Sequence, residues 1–157
     1  MKPITLEAYF MGRNVSHAHE LTVAMLENAG VVLDRYNRLA AMYEADTGKP
    51  APRKVNSGWR PQSINDATPG AAKGSKHLTC EAIDVEDQGP FDQWCMENPE
   101  RLAEVGLWQE HPGWTDGWCH LQIVPPKSGE HIRTFIPRQG PPVVSKYGSS
   151  PVIWRPA

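Results

Sequence analysis

No stretch of the chain is apolar for long enough to span a bilayer, and the first residues, Met1-Lys2-Pro3-Ile4-Thr5, hold no apolar segment of the signal-peptide kind. No membrane insertion is expected, and the protein should be made in the cytoplasm without a signal peptide. A surplus of charge is also missing. Sixteen Lys and Arg against eighteen Asp and Glu give a formal net charge of −2, too balanced for a general binder of nucleic acid or anionic membrane. Cysteine is scarce. Cys80, Cys95 and Cys119 are odd in number and show no CxxC spacing, so a disulfide framework is excluded and three free, buried thiols are expected. A closed zinc site built on them fails at Cys119, whose side chain should leave the strand on the face opposite His120. Internal repeats and linker-like stretches are absent too. The 157 residues therefore read as a single domain, residues 1–157, with a sizeable core, and as a monomer.

What is present is a helical beginning and a β-prone second half, an α+β chain. In residues 1–50, Leu21, Met25, Val32, Tyr36, Leu39 and Tyr43 recur mostly three, four or seven apart, which marks one buried stripe. Ser16 is placed to cap the start, Gly30 to divide the stretch into two helices, and Gly48 and Pro50 to stop it. His17 and His19, two apart at a helix entry, should diverge as surface residues. Residues 53–59 read as a strand and 61–76 as a loop. Two short helices follow at 91–96 and 99–105, with Asn98 as N-cap, Pro99 in the first turn and Gly106 at the end. Residues 107–110 and 117–124 read as a hairpin, 133–137 as a last strand, and 138–157 as a Pro-rich tail that packs through Trp154 or frays. The expected architecture is a small antiparallel sheet packed by N-terminal helices.

The chemistry gathers in three stretches. Ser75-Lys76-His77-Leu78-Thr79-Cys80-Glu81-Ala82-Ile83-Asp84 sets an imidazole and a carboxylate seven positions apart. Asp84 shares a strand face with Ala82, while Ile83 and Val85 point to the core. Gly117-Trp118-Cys119-His120-Leu121-Gln122 puts a second histidine on the face of Trp118 and Gln122, and Ser57-Gly58-Trp59-Arg60-Pro61 presents an arginine at a turn. Neutral imidazole and carboxylate suit catalytic zinc.

In order and spacing, over about residues 55–122, these stretches resemble the zinc D-Ala-D-Ala carboxypeptidase and L-alanyl-D-glutamate endopeptidase family, whose fold is shared with lysostaphin-type enzymes and hedgehog proteins. That family shows Ser-Gly-Tyr-Arg, then Ser-x-His-x-x-Gly-x-Ala-x-Asp, then Trp-x-His. The resemblance implies a mononuclear zinc site with His77, Asp84 and His120 as ligands and one position left open. It implies peptide hydrolysis in peptidoglycan stem peptides, of D,D-carboxypeptidase or L,D-endopeptidase type, with Arg60 on the substrate side or near the oxyanion. Ser75 and Trp118 join Arg60 as substrate-binding residues, Trp59 and Trp118 wall the groove, and Gln122 stands where it could orient a ligand. A phage endolysin, reaching the cell wall after release by a holin, fits this expectation. The alternative is a catalytically inactive zinc-binding or wall-binding module of the same fold.

The chain departs from the family pattern in three places. Trp59 replaces tyrosine. Cys80 replaces glycine, so the backbone there must avoid positive φ or bear strain. Gly117 stands three before His120, where the family carries Asp or Glu as the base. The base must then come from Asp116 or Glu110. An extended run would hold Asp116 on the order of 13 Å from His120, whereas a hairpin looping at 111–116 would bring Glu110 opposite Gly117. Glu110 is the expected general base.

Overall fold

The structure is a computed structural model, described for residues 2–87, 89–127 and 133–137. Helix α3 (Val23–Thr47) is the longest element. Its N-cap is Thr22, whose hydroxyl accepts the Met25 N–H at 3.2 Å, so Ser16 is not the cap. Ser16 ends the short α2 (Arg13–Ser16), which follows α1 (Leu6–Phe10) and precedes a 3-10 turn at Ala18–Glu20. Gly30 does not divide α3. It lies on the exposed face, where the helix needs no side chain, and the helix runs through it at a cost of about 1 kcal/mol relative to alanine. Gly48 ends the helix at φ +68°, its N–H donating to Glu44. The stripe is buried at Val32, Tyr36, Leu39 and Tyr43 and half-buried at Leu21 and Met25. Tyr36 and Tyr43 meet Phe91 edge-on, at 6.0 and 5.2 Å between ring centres.

Five strands form one sheet in the order β1-β2-β4-β3-β5: β1 (Val55–Ser57), β2 (Ala82–Glu86), β3 (Trp108–Glu110), β4 (Trp118–Gln122) and β5 (Thr134–Phe135). The first four pair antiparallel, but β5 runs parallel to β3, so the sheet is mixed rather than antiparallel throughout. The chain reverses after β3 and again after β4. It then returns along the outer edge of β3, and two reversals leave β3 and β5 pointing the same way. Helices α5 (Pro90–Glu97) and α6 (Pro99–Val105) bridge β2 and β3. Asn98 precedes α6 without a side-chain capping bond, and Gly106 closes it at φ +75°.

Two expectations fail in the connections. Residues 61–76 are not all loop, because Gln62–Ala67 form helix α4, started by Pro61, whose carbonyl accepts the Asn65 N–H at 2.8 Å. The β3–β4 register also differs. Trp108 pairs with Gln122 and Gln109 with Leu121, which sets Glu110 across from His120 and not from Gly117. The link coils instead of turning tightly, since Pro112–Trp114 form a 3-10 turn in which His111 Nδ1 accepts the Gly113 N–H at 2.9 Å.

The alternation of the strands decides where the core ends. Ile83, Val85, Cys119 and Leu121 are fully buried on one face, against the layer that holds α3. All three cysteines are buried and free. Among the described residues no helix is long and apolar enough to cross a membrane. The calls on 138–157 and Trp154 fall outside the described residues.

Candidate metal centre

The other face of the same strands carries the polar groups. Ser57 of β1 pairs with Asp84 of β2, and Asp84 pairs with His120 of β4. The β3 register extends this line to Glu110, whose partner on β5 is Phe135. A single cross-strand row thus reads Ser57, Asp84, His120, Glu110, Phe135, with about 4.8 Å between neighbouring strands.

His77 joins the row from the loop before β2. Its Nδ1–H donates to the Gly58 carbonyl at 2.8 Å, and its own carbonyl accepts the Arg60 N–H at 3.0 Å. These two bonds lash the histidine to the 58–60 turn and leave Nε2 facing Asp84. Gly58 is required there, because a Cβ at that position would lie 2.0 Å from the Tyr9 carbonyl oxygen of α1. The loop then enters β2 through Cys80, which adopts φ +57° despite its side chain. The position expected to need glycine therefore does take the left-handed conformation, at a cost on the order of 1 kcal/mol.

Asp84 receives both imidazoles, His120 Nδ1 at 2.7 Å on Oδ1 and His77 Nε2 at 3.1 Å on Oδ2. One potential ligand atom from each of the three lies within 4.8 Å of the others. Burial alone would raise the Asp84 carboxyl, but the two imidazoles overcome it and hold it below the usual carboxylate range. Burial would likewise lower His120. The hydrogen bond and charge of Asp84, with Glu110 adding to them, instead lift it to about 9. The far nitrogen of His120 is also held, its Nε2–H donating to Gln122 Oε1 at 3.3 Å, and the Gln122 amide is fixed by its own bond to the Val124 carbonyl at 2.8 Å. Two imidazoles and a carboxylate converge, each ring with its outer nitrogen bound elsewhere. That donor set fits a zinc ion. His17 and His19 offer nothing comparable. They do not diverge but stack on the surface, 6.4 Å between ring centres, because the 3-10 turn brings the two side chains round to one side.

At the β1 end of the row, Arg60 Nη2 donates to Ser57 Oγ at 3.2 Å and Nη1 to Asn65 Oδ1 at 3.4 Å. At the β3 end stands Glu110. Burial raises its carboxyl, a shift that His120 opposes and Asp84 adds to. A cleft opens over this end, lined by Ser75, Lys76, Glu110, His120, Gln122 and Phe135, among others. Trp118 stands two residues before His120 on β4, half-buried opposite Glu86 and outside that lining. Trp59 is not a groove wall. It is fully buried and packs edge-on against Phe10, 6.1 Å away, because the turn points it inward under α1. Asp116 is exposed on the β3–β4 link. Phe135, whose ring sits 6.4 Å from that of His120, was missed in the sequence, since no local pattern says that a two-residue strand will dock beside β3.

No curated protein and no solved structure matches the chain. A model of the family described as peptidase M15 matches residues 16–121, a span that begins before α3 and takes in Arg60, His77, Asp84, Glu110 and His120. With most of its length inside that match, the chain belongs to the peptidase M15 family.

Proposed function

We propose that the protein is a zinc peptidase that hydrolyses peptide bonds in bacterial peptidoglycan stem peptides, with His77, Asp84 and His120 holding the metal. The observation that carries this reading is the cross-strand row, which with His77 from the preceding loop sets the three ligand-type residues between a carboxylate at one end and a guanidinium at the other. Zinc held there would supply the Lewis acid for amide hydrolysis.

The remaining roles belong to the chain. Glu110 is the general base: it stands across from His120, and burial raises its proton affinity, which makes it a better acceptor at neutral pH. After taking a proton from water, it returns that proton to the leaving amine. Arg60 holds the substrate's carboxylate or the developing oxyanion, with Ser57 and Asn65 fixing its two branches. Ser75 contacts the substrate from the rim of the cleft, and Trp118 does so from the far side of His120. Gln122 keeps His120 turned so that Nδ1 faces Asp84, where the metal would be held. The place of Glu110 favours the enzyme over the inactive-module alternative, because β3 supplies a carboxylate across from His120 where β4 has none at Gly117. A phage endolysin is the biological setting we infer.

The test is mass spectrometry of purified muropeptides digested with zinc-loaded protein, with a chelated control. Cleavage of D-Ala-D-Ala or of L-Ala-D-Glu that stops on chelation and returns with zinc is expected. Intact muropeptides with protein of full zinc content would refute the assignment. The endolysin setting is tested separately, by lysis of cells expressing the protein with and without a holin. Equal lysis in both would remove it.

A further inference from the structure

The cleft over the metal centre is one-sided. It reaches Glu110, His120 and Gln122 but neither Asp84 nor Arg60, so it lies on the β3–β5 side of the cross-strand row. Much of its lining comes from chain beyond the residues matched by the family, Pro125 to Lys127 and Phe135 to Pro137. Pro125, Pro126 and Pro137 offer rings and carbonyls there but no N–H. A peptide lying against them gains apolar contact, and any carboxylate it carries must find its donors on side chains. Two lysines border the cleft, Lys76 from the loop before β2 and Lys127 from the segment after β4. Among the described residues, the one acidic group in the lining is Glu110, which is engaged at the metal end across from His120. Lys76 shares its charge with Glu81, 3.6 Å away and outside the lining. Lys127 is exposed and meets no acidic side chain among the described residues. Two ammonium groups bordering one cleft with apolar walls focus a positive potential into it.

We infer that this cleft selects peptides with an acidic residue flanking the scissile bond, with Lys127 as the main specificity-determining residue and Lys76 as the second. The inference rests on the peptidase reading for the ligand's being a stem peptide, and it adds the kind of stem peptide: one with a free carboxylate on the β3–β5 side of the metal centre. An ammonium is a point charge on a flexible stem, so it selects for charge and tolerates variation in where the carboxylate lies. Phe135 and the prolines cover the apolar part of the same stretch of peptide. Two carboxylates of a stem peptide have this chemistry, the α-carboxylate of D-glutamate and the side-chain carboxylate of diaminopimelate. Amidation of the first, or lysine in place of the second, removes the charge that the cleft attracts.

The experiment is equilibrium dialysis of full-length, zinc-loaded protein against four stem tetrapeptide amides, with mass spectrometry counting bound and cleaved peptide. The peptides carry D-glutamate or its α-amide at the second position and diaminopimelate or lysine at the third. Binding is read on Glu110→Gln protein, to slow turnover, and cleavage on wild type. The peptide with both carboxylates should bind tightest, and whichever single change weakens it more identifies the source. Lys127→Gln should weaken that peptide ~3–5-fold, the size of an exposed ion pair, leave the peptide with neither carboxylate unchanged, and be rescued by Lys127→Arg. Lys76→Gln should lose less, and Lys49→Gln, an exposed lysine just past α3 and outside the cleft, should lose nothing. Added salt should shrink the preference. Equal binding of all four peptides, binding of none, or a Lys127→Gln protein that keeps the full preference would overturn the inference. Acidic peptides held through Lys127 but left intact by wild type would sink the peptidase reading and leave the lysine site standing; cleavage of all four without preference would do the reverse.

Discussion

The two faces of strands β2 and β4 are built from alternate residues of the same two segments, and they obey opposite rules. On one, Ile83, Val85, Cys119 and Leu121 are all fully buried and make no demand except volume. On the other, Asp84 and His120 are nearly as buried, but each is charged or polar and each needs a partner at a set distance. Packing stabilises the first face; the second is stabilised by pairing and, we propose, by metal. The apolar face thus supplies the rigidity that lets the polar one hold ion-binding groups together without collapsing onto them.

The comparison breaks most visibly from the apolar side. Leu121→Ala should cost ~2–5 kcal/mol, because a fully buried leucine leaves both its transfer energy and a cavity. Chemical denaturation would measure this, and a loss below about 1 kcal/mol would mean that the strand collapses readily into the gap. Glu110→Gln should leave the fold and the zinc content intact while turnover falls ~100-fold or more. Stopped-flow or steady-state hydrolysis checks it, and near-normal turnover would remove Glu110 as the base.

A smaller effect, spread over a few pH units, sharpens the polar side. His120 is lifted to about 9 from an ordinary value of 6.5, so its contribution to the metal-free fold is fully present below pH ~6.5 and is lost as pH rises through ~9. Denaturation midpoints of metal-free protein should fall over that window, with His120→Gln flattening the change. Zinc should reverse the trend, since it competes with that proton and its apparent affinity must climb as pH rises. A midpoint flat from pH 6 to 10 in the metal-free protein would contradict the Asp84–His120 pairing. The smallest effect is expected at Asp116→Asn, which should turn over within about twofold of wild type; a large loss there would show that the exposed link folds back on the site.

What was legible in the sequence follows this division. Period-two alternation alone puts Asp84 and His120 on one face and Ile83 and Leu121 on the other, because a strand has no freedom to do otherwise. The buried stripe of α3 was readable for the same reason. Relations between segments were less so. The hairpin register depended on how residues 111–117 coil, and nothing in their composition fixed a 3-10 turn over a tight loop, so the expected register set Glu110 opposite Gly117, three residues from its real partner His120. Helix α4 hid in a stretch rich in loop residues, since Pro61 starts a helix as well as it breaks one. Arg13 gave no signal at all. Its guanidinium meets a carbonyl 46 positions away, and only the folded chain brings the two together.

Gly58 carries this interdependence to its limit. Its missing side chain lets α1 come within a methyl group's width of the turn, while its carbonyl steers the ring of His77. One residue thus works as a gauge between a packing joint and an ion-binding joint, with no slack on either side. A shift of Tyr9 toward the turn presses on Gly58, whose carbonyl holds the imidazole. The first dozen residues of the chain, which contribute no candidate ligand, are therefore where the aim of one is calibrated.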